Sequence, residues 1–493
     1  MRNFARISAI GGAAEVTPQE IVGRILEIES AICPSDHCFG GASYWPYIRL
    51  RIYKKLQREG ASSIGQTRFS SHIPRSKLSY LTESFWATRT LLGLVMRRRV
   101  DIVFVSRAED YVELSHRQFV NKTVEALKKT YGSDLSILQV VTDEGVPNKR
   151  LGTRDDLLVL RGISALSKVL AFLFSWRRGA IVKKIKNDKN LVDQLGSLEI
   201  DVESLAIEIH RLYHLSNSYR LLLWHSRPSV VIYQYFYRLT GLALGLAATR
   251  SLTPSIEYQH GIQNDFHGMY SHWINVPSKG YEMLPEVFWL WGEEFKKKLG
   301  TLLKPHMRHK ALVGGNILLN ARTSSRSGEK GSKPGKRDVG RSILVTLQGD
   351  KFYKPFLLEA VVRLQSFVWL FRDHPRHPIS EDIKLTLAKF SNRPMHEIAQ
   401  QDLYALLSTV DLHITATSTV ALEAAAFGVP TLFLDNYARS GFGVLCDDEV
   451  SVANSSQQVI DWVNARGDES AEPLTRSFEG VSTQISDLLR GTL

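Results

Sequence analysis

Reactive side chains cluster in short stretches of this chain, each beside residues that turn the backbone. Asp143-Glu144-Gly145 puts two carboxyls before a glycine. A carboxylate there can take a proton from an attacking hydroxyl, although Asp and Gly also suit a plain polar turn. Gln259, His260, Gly261, Asp265, His267 and Tyr270 crowd into one segment. His260 can protonate, or hydrogen-bond to, a leaving phosphate or an acceptor; the plainer explanation is a structural histidine held by backbone groups. Arg372, Asp373, His374, Pro375 and Arg376 are consecutive. Their guanidiniums can fork a phosphate and the imidazole can donate to it, while Pro375 stiffens the exit. A basic surface turn would look the same. Ser418 and Thr419 precede Glu423 by about one helical turn. Hydroxyls at a helix N-terminus fit a phosphate or diphosphate, and a carboxylate one turn on can accept from ribose hydroxyls. An ordinary capped helix is the alternative.

These residues need strands to place them. Residues 412–415 form a short apolar run, residues 420–427 are Ala-rich, and Gly428 with Pro430 closes that helix before a second apolar run at 429–434. That is a βαβ unit and implies a parallel sheet. Residues 342–347 and 367–371 read as further strands, with a helix over 352–364. In the first half, residues 100–106, 135–142, 230–236 and 255–260 read as strands, and 118–131 and 241–249 as helices. Residues 156–223 read as mostly helical with breaks near Gly179 and Gly196, and 286–299 as a strand and helix. Each reactive cluster then lies at the carboxyl end of a strand, where open α/β sheets bind ligands.

The chain has 493 residues, 44% hydrophobic and 23% charged, which suits two or three globular domains. Its net charge of +12 favours anionic lipid or phosphorylated substrates; no nucleic-acid motif appears, so no nucleic-acid partner is expected. Cys33, Cys38 and Cys446 form neither a disulfide framework nor a zinc pattern. A reducing cytoplasm is expected, without signal peptide or membrane span. Residues 44–56 (YWPYIRLRIYKKL) are aromatic, basic and amphipathic. They read as a core-docking helix with a solvated basic face, the alternative being contact with a membrane surface. Residues 18–31 read as an amphipathic helix, and residues 322–341 hold too few apolar residues to pack.

The segment holding Ser418, Thr419, Leu422, Glu423, Ala424, Gly428 and Pro430 resembles the donor-nucleotide motif of GT-B glycosyltransferases. Asp143-Glu144-Gly145, His374-Pro375 and Ser418-Thr419, in that order, resemble the motifs of bacterial sialyltransferases and related enzymes that use CMP-activated sugars. The Gln259-His260-Gly261 segment is similar to those of bacterial surface-polysaccharide transferases, including transferases of Kdo from CMP-Kdo.

The resemblance implies an α/β, GT-B fold with two Rossmann-like domains and a cleft between them. Residues 1–315, with helical insertions, would bind the acceptor, 316–341 would be a flexible basic linker or loop, and 342–493 would bind the nucleotide sugar. It implies Asp143 or Glu144 as the acceptor-activating base, with Asp265 or His260 as substitutes. It implies His374 on the CMP phosphate and Ser418 and Thr419 holding that phosphate. Arg372, Pro375 and Glu423 complete the expected donor site; Gln259, Asp265 and His267 are expected on the acceptor. No cofactor and no metal are expected. The activity implied is transfer of an acidic sugar from a CMP-activated donor to a capsule or lipopolysaccharide glycan, in the cytoplasm or at the inner face of its membrane. A UDP-sugar or CDP-glycerol transferase, and an isomerase like UDP-GlcNAc 2-epimerase, share the scaffold.

Overall fold

The computed structural model describes residues 17–62, 81–85, 88, 99–115, 118–142, 156–160, 162–263, 267–270, 272–300, 308–323, 341–374, 377–442, 450–466 and 483–490. Its strands, in chain order, are β1 (Cys38–Phe39), β2 (Ala42–Ser43), β3 (Ile102–Arg107), β4 (Tyr111–Ser115), β5 (Gln118–Asn121), β6 (Ile137–Thr142), β7 (Leu157–Leu160), β8 (Val230–Tyr233), β9 (Ser255–Tyr258), β10 (Val287–Leu290), β11 (Lys310–Val313), β12 (Ser342–Thr346), β13 (Val368–Arg372), β14 (Leu412–Thr415) and β15 (Thr431–Phe433).

Two all-parallel sheets organise the molecule. The first runs β11-β10-β9-β8-β3-β6-β7 and the second β13-β12-β14-β15. In each, the chain starts at an inner strand, works to one edge and returns to the other side of its start. The order therefore reverses between β3 and β8, and again between β12 and β14. These are the two Rossmann-like units of an α/β, GT-B architecture, and ligand crevices form at such reversals.

Both faces of each sheet are covered, as parallel sheets require. On one face of the first sheet, Val103, Val105, Leu138, Val140, Val231 and Phe288 pack under Pro18–Ser30, Trp45–Ser62, Val202–Ser226 and Leu239–Arg250. On the other, Ile102, Phe104, Val230, Ile232 and Trp289 meet Lys122–Tyr131 and Ile317–Thr323. In the second unit, Pro355–Arg363 and Ser456–Ala465 cover one face and Leu403–Leu407 helps cover the other.

Several elements depart from the sequence reading. Gln118–Asn121 is a strand, not the start of a helix; it pairs antiparallel with β4. Asn121 then caps the helix Lys122–Tyr131 by accepting from Thr123 N at 3.0 Å and Val124 N at 3.3 Å. Asn121→Ala should cost about 1 kcal/mol in urea unfolding; no change would show the cap to be redundant. Leu157–Leu160 is an edge strand rather than helix; the helical breaks fall at 174–177 and 198–201, near Gly179 and Gly196 as expected, with a further one at Asp188.

β11 extends the first sheet up to Val313. The helix Thr483–Arg490, from the stretch read with the second unit, lies on the first: Ile485 and Leu489 are fully buried among first-sheet residues, and Arg490 donates to Tyr131 O at 2.7 Å. The helix Trp45–Ser62 is a core element. Trp45, Ile48, Arg49, Ile52, Tyr53 and Leu56 are buried at helical spacing, so its aromatic face does not meet solvent.

Candidate functional site

The carboxyl ends of the two sheets come together. A β-carbon built on Gly261, just past β9, would lie 3.7 Å from Thr419 Cγ2, just past β14. Ala421, Leu422, Phe433, Ala438 and Phe442 of the second unit join the apolar core of the first. This seam brings the His260 loop against the Ser418-Thr419 turn, two stretches far apart in sequence.

On the second unit's side, Thr415 Oγ1 accepts from Ser418 N at 3.3 Å and donates to Thr346 O at 3.0 Å. Ser418 Oγ accepts from Val420 N at 3.3 Å. Gln348, following β12, accepts from Thr417 N at 2.8 Å and so ties the loops on either side of the β12/β14 reversal. A small cavity opens there, lined by Gln348, Gly349, Lys354 and Ala416 among others. Glu423 lies one turn in. Its Oε2 is buried without a hydrogen-bond partner, and burial raises its pKa to about 7. The residue as a whole keeps some exposure, so this is a carboxyl edged into the protein rather than sealed in it.

His374 follows β13. Its Nδ1 accepts from His377 N at 3.0 Å, so the neutral ring carries its proton on Nε2. Asp373 Oδ1 accepts from His374 N at 2.9 Å and Ile379 N at 3.1 Å, fixing the turn. Arg372 is placed otherwise than the sequence suggests. It donates to Ile398 O at 2.6 Å and Gln401 O at 3.0 Å, closing the carboxyl end of the helix Met395–Gln400. Burial lowers its pKa. Both of these bonds are made by Nη1. Pro375 and Arg376 lie outside the described residues.

On the first unit's side, Gln259 is also structural. Its amide donates to Gly261 O at 2.9 Å and accepts from Trp291 N at 2.8 Å, with no surface exposed. It sets the loop rather than touching an acceptor. His260 Nε2 is 2.9 Å from Tyr237 Oη, and its ring centroid is 3.8 Å from that of Tyr235. His267 packs among Tyr53, Tyr237 and Tyr270, and burial lowers its pKa to about 4, so it stays neutral and belongs to the loop's support. Asp143, Glu144 and Asp265 lie outside the described residues; Asp143 follows Thr142 in the chain, which lines the cavity at the β3/β8 reversal.

That cavity holds residues the sequence reading missed. Tyr235 has φ of +58°, a left-handed conformation that costs a non-glycine residue roughly 1–2 kcal/mol. The Arg238 guanidinium lies 5.2 Å and that of Arg107 5.9 Å from the Tyr235 ring centroid, beside Asp110 and Gln234. The strained backbone turns an aromatic ring between two cations and His260. The available signal was Tyr235-Phe236-Tyr237-Arg238 directly after a strand. Among the described residues no group of three His, Cys, Asp or Glu is placed to hold a metal ion.

Comparisons with known proteins give likenesses of fold only. No protein-family model matches the chain, and no curated protein matches it in sequence. Among solved structures, UDP-GlcNAc 2-epimerase of Neisseria meningitidis bound to UDP-GlcNAc is similar over 80% of this chain and 98% of its own, with 13% identity and a TM-score of 0.42. The wall teichoic acid polymerase TagF is similar over 85% and 98%, with 10% identity and a TM-score of 0.40. The spinosyn rhamnosyltransferase SpnG is similar over 79% and 96%, with 12% identity and a TM-score of 0.33.

Proposed function

We propose that this protein is a glycosyltransferase that moves a sugar from a nucleotide-activated donor to an acceptor hydroxyl across the seam between its two units. The observation that supports the reading is the close approach of the loop at Gly261, next to His260 in the chain, to Thr419, whose Cγ2 would lie 3.7 Å from a β-carbon at Gly261. On the donor side, Glu423 Oε2 is a buried acceptor without a donor, a need that a ribose hydroxyl meets. Ser418 and Thr419 hold the phosphate, and His374 Nε2 donates to it as it leaves. On the acceptor side, the cations around Tyr235 suit an anionic or phosphorylated acceptor, in keeping with the net charge of +12. The acceptor oxygen bonds to the anomeric carbon as the carbon–oxygen bond to the phosphate breaks. The nucleotide carries that electron pair away, and Asp143 or Glu144 takes the hydroxyl proton, with His260 or Asp265 as the alternative base.

The donor favoured is a CMP-linked acidic sugar and the acceptor a bacterial capsule or lipopolysaccharide glycan, handled in the cytoplasm. The order of the Asp143, His374 and Ser418 motifs supports this choice. Thermal stability with CMP, CDP, UDP and GDP tests it. CMP at about 100 times its dissociation constant should add about 2.7 kcal/mol, and the gain should vanish in His374→Ala and shrink in Glu423→Gln. A selective gain with UDP moves the assignment to a UDP-sugar transferase or, if donor turns over without acceptor, an epimerase. A selective gain with CDP points to CDP-glycerol transfer. No gain with any nucleotide overturns the donor site.

A further inference from the structure

The end of the helix Ile163–Leu173 and the turn joining it to Arg178–Asn187 carry apolar side chains into solvent: Phe172 is 78% exposed, Leu173 56%, Phe174 38% and Trp176 70%. Single exposed apolar residues need no explanation. A run of this kind at one tip is a patch, and such patches mark interaction sites. The tip is braced. Phe174 lies 5.1 Å from Trp176 and stacks on His214 of the helix Val202–Ser226 at 5.5 Å. Cations surround it. Arg177 is exposed beside Trp176, and Trp176, Arg178, Lys183 and Lys186 line one open groove, where the only acid among the lining residues, Glu203, is 3.3 Å from Lys186.

We infer that this tip is a membrane-docking surface that inserts Phe172, Leu173, Phe174 and Trp176 into the headgroup layer of an anionic bilayer, with Arg177, Arg178, Lys183 and Lys186 on the lipid phosphates. Charge complementarity selects the occupant. Aromatics flanked by Lys and Arg suit the headgroup region, whereas protein interfaces are depleted in Lys. No helix among the described residues is long and apolar enough to cross a membrane. The aromatic residues of the helix Trp45–Ser62 are buried and cannot serve. The inference is independent of the donor site.

Co-sedimentation of the full chain with vesicles tests it. Binding is expected to phosphatidylglycerol–phosphatidylcholine vesicles, and only weakly to phosphatidylcholine alone or in high salt. Trp176→Ser should weaken it about tenfold, and Lys183→Gln with Lys186→Gln about thirty-fold. Leu385→Ser, at an exposed leucine of the second unit, should change nothing. Trp176→Phe guards against misfolding: it should still bind while losing part of the fluorescence quenching by brominated acyl chains. Failure to bind anionic vesicles, or equal binding by Trp176→Ser, overturns the inference. So does self-association through the tip in the absence of vesicle binding, which would assign the patch to a second copy of the chain.

Discussion

Arg49→Met is expected to lower folding stability by about 3–5 kcal/mol. Arg49 has no exposed surface, and its guanidinium pairs with the equally buried carboxylate of Glu29. It also donates to Gly268 O at 2.8 Å and lies 4.3 Å over the Trp273 ring. Glu29 in turn accepts from Trp45 Nε1 at 2.7 Å and Ile274 N at 3.3 Å. Burial pushes the Glu29 pKa up while Arg49 pulls it down. Removing the cation leaves a buried carboxylate without its counter-charge, which is the costly case; replacing both partners is often near neutral. The double variant Glu29→Gln/Arg49→Met should therefore recover part of the loss. Urea unfolding of the two single variants and the double variant checks this, and a loss below about 1 kcal/mol for Arg49→Met would show the pair to be dispensable. The effect should reach function, because Gly268 and Trp273 continue the loop that carries His260. At Gly268 a β-carbon would sit 2.6 Å from the Tyr53 ring, so the loop is pressed onto this helix.

Glu257 should make stability fall as pH rises. Its carboxyl is fully buried on β9, accepts from Tyr270 Oη, and is pushed by desolvation from 4.5 up to about 8. Below 4.5 both folded and unfolded chains hold the proton, and the contribution is complete. Between 4.5 and about 8 only the folded chain holds it, so stability declines at about 1.4 kcal/mol per pH unit, on the order of 5 kcal/mol in all. Glu423, raised to about 7, acts with the same sign. His214, His267 and His309, lowered to about 4, His413, lowered to about 3, and His37 and His210, also lowered by burial, act oppositely, their effect fading as pH rises through 6.5 to about 7.5. The histidines are common to wild type and Glu257→Gln, so the difference between their pH slopes isolates the Glu257 carboxyl. Glu257→Gln should remove about 1 kcal/mol of the loss between pH 6.5 and 7.5. Equal pH slopes for variant and wild type, measured by urea unfolding at several pH values, would refute the assignment.

Where an apolar run ended in a turn signal, the sequence predicted the element closely. β14 lies on the predicted 412–415, and the following helix ends one residue early, because Gly428 takes the left-handed conformation (φ +69°) that closes it. Short strands without such punctuation were lost. Leu157–Leu160 shares its leucine-rich character with the helices after it, and periodicity cannot separate the two over four residues. The His260 and Ser418 stretches follow strands, as expected, but strand ends do not tell which side chains stay available. Gln259 and Arg372 look like ligand-binding groups until their backbone partners are known. Apart from Gly261, two residues from Gln259, those partners lie 26 to 32 residues away, and spacing does not encode them. Arg107 and Arg238 meet at Tyr235 only because β3 and β8 are neighbours across the sheet reversal.

The docking of Thr483–Arg490 on the first sheet also sets an order of events during synthesis. Ile485 and Leu489 complete a core whose other members, from Ile102 to Leu318, emerge from the ribosome far earlier. At about 5–20 residues per second, the interval from residue 323 to residue 485 lasts roughly 10–30 s. Through that time the face formed by Tyr131, Trp289 and Ile317 stands without its last covering helix, while the second unit is made and can fold on its own strands. The nascent first unit therefore waits for the second, and its uncovered face is the surface a chaperone would meet.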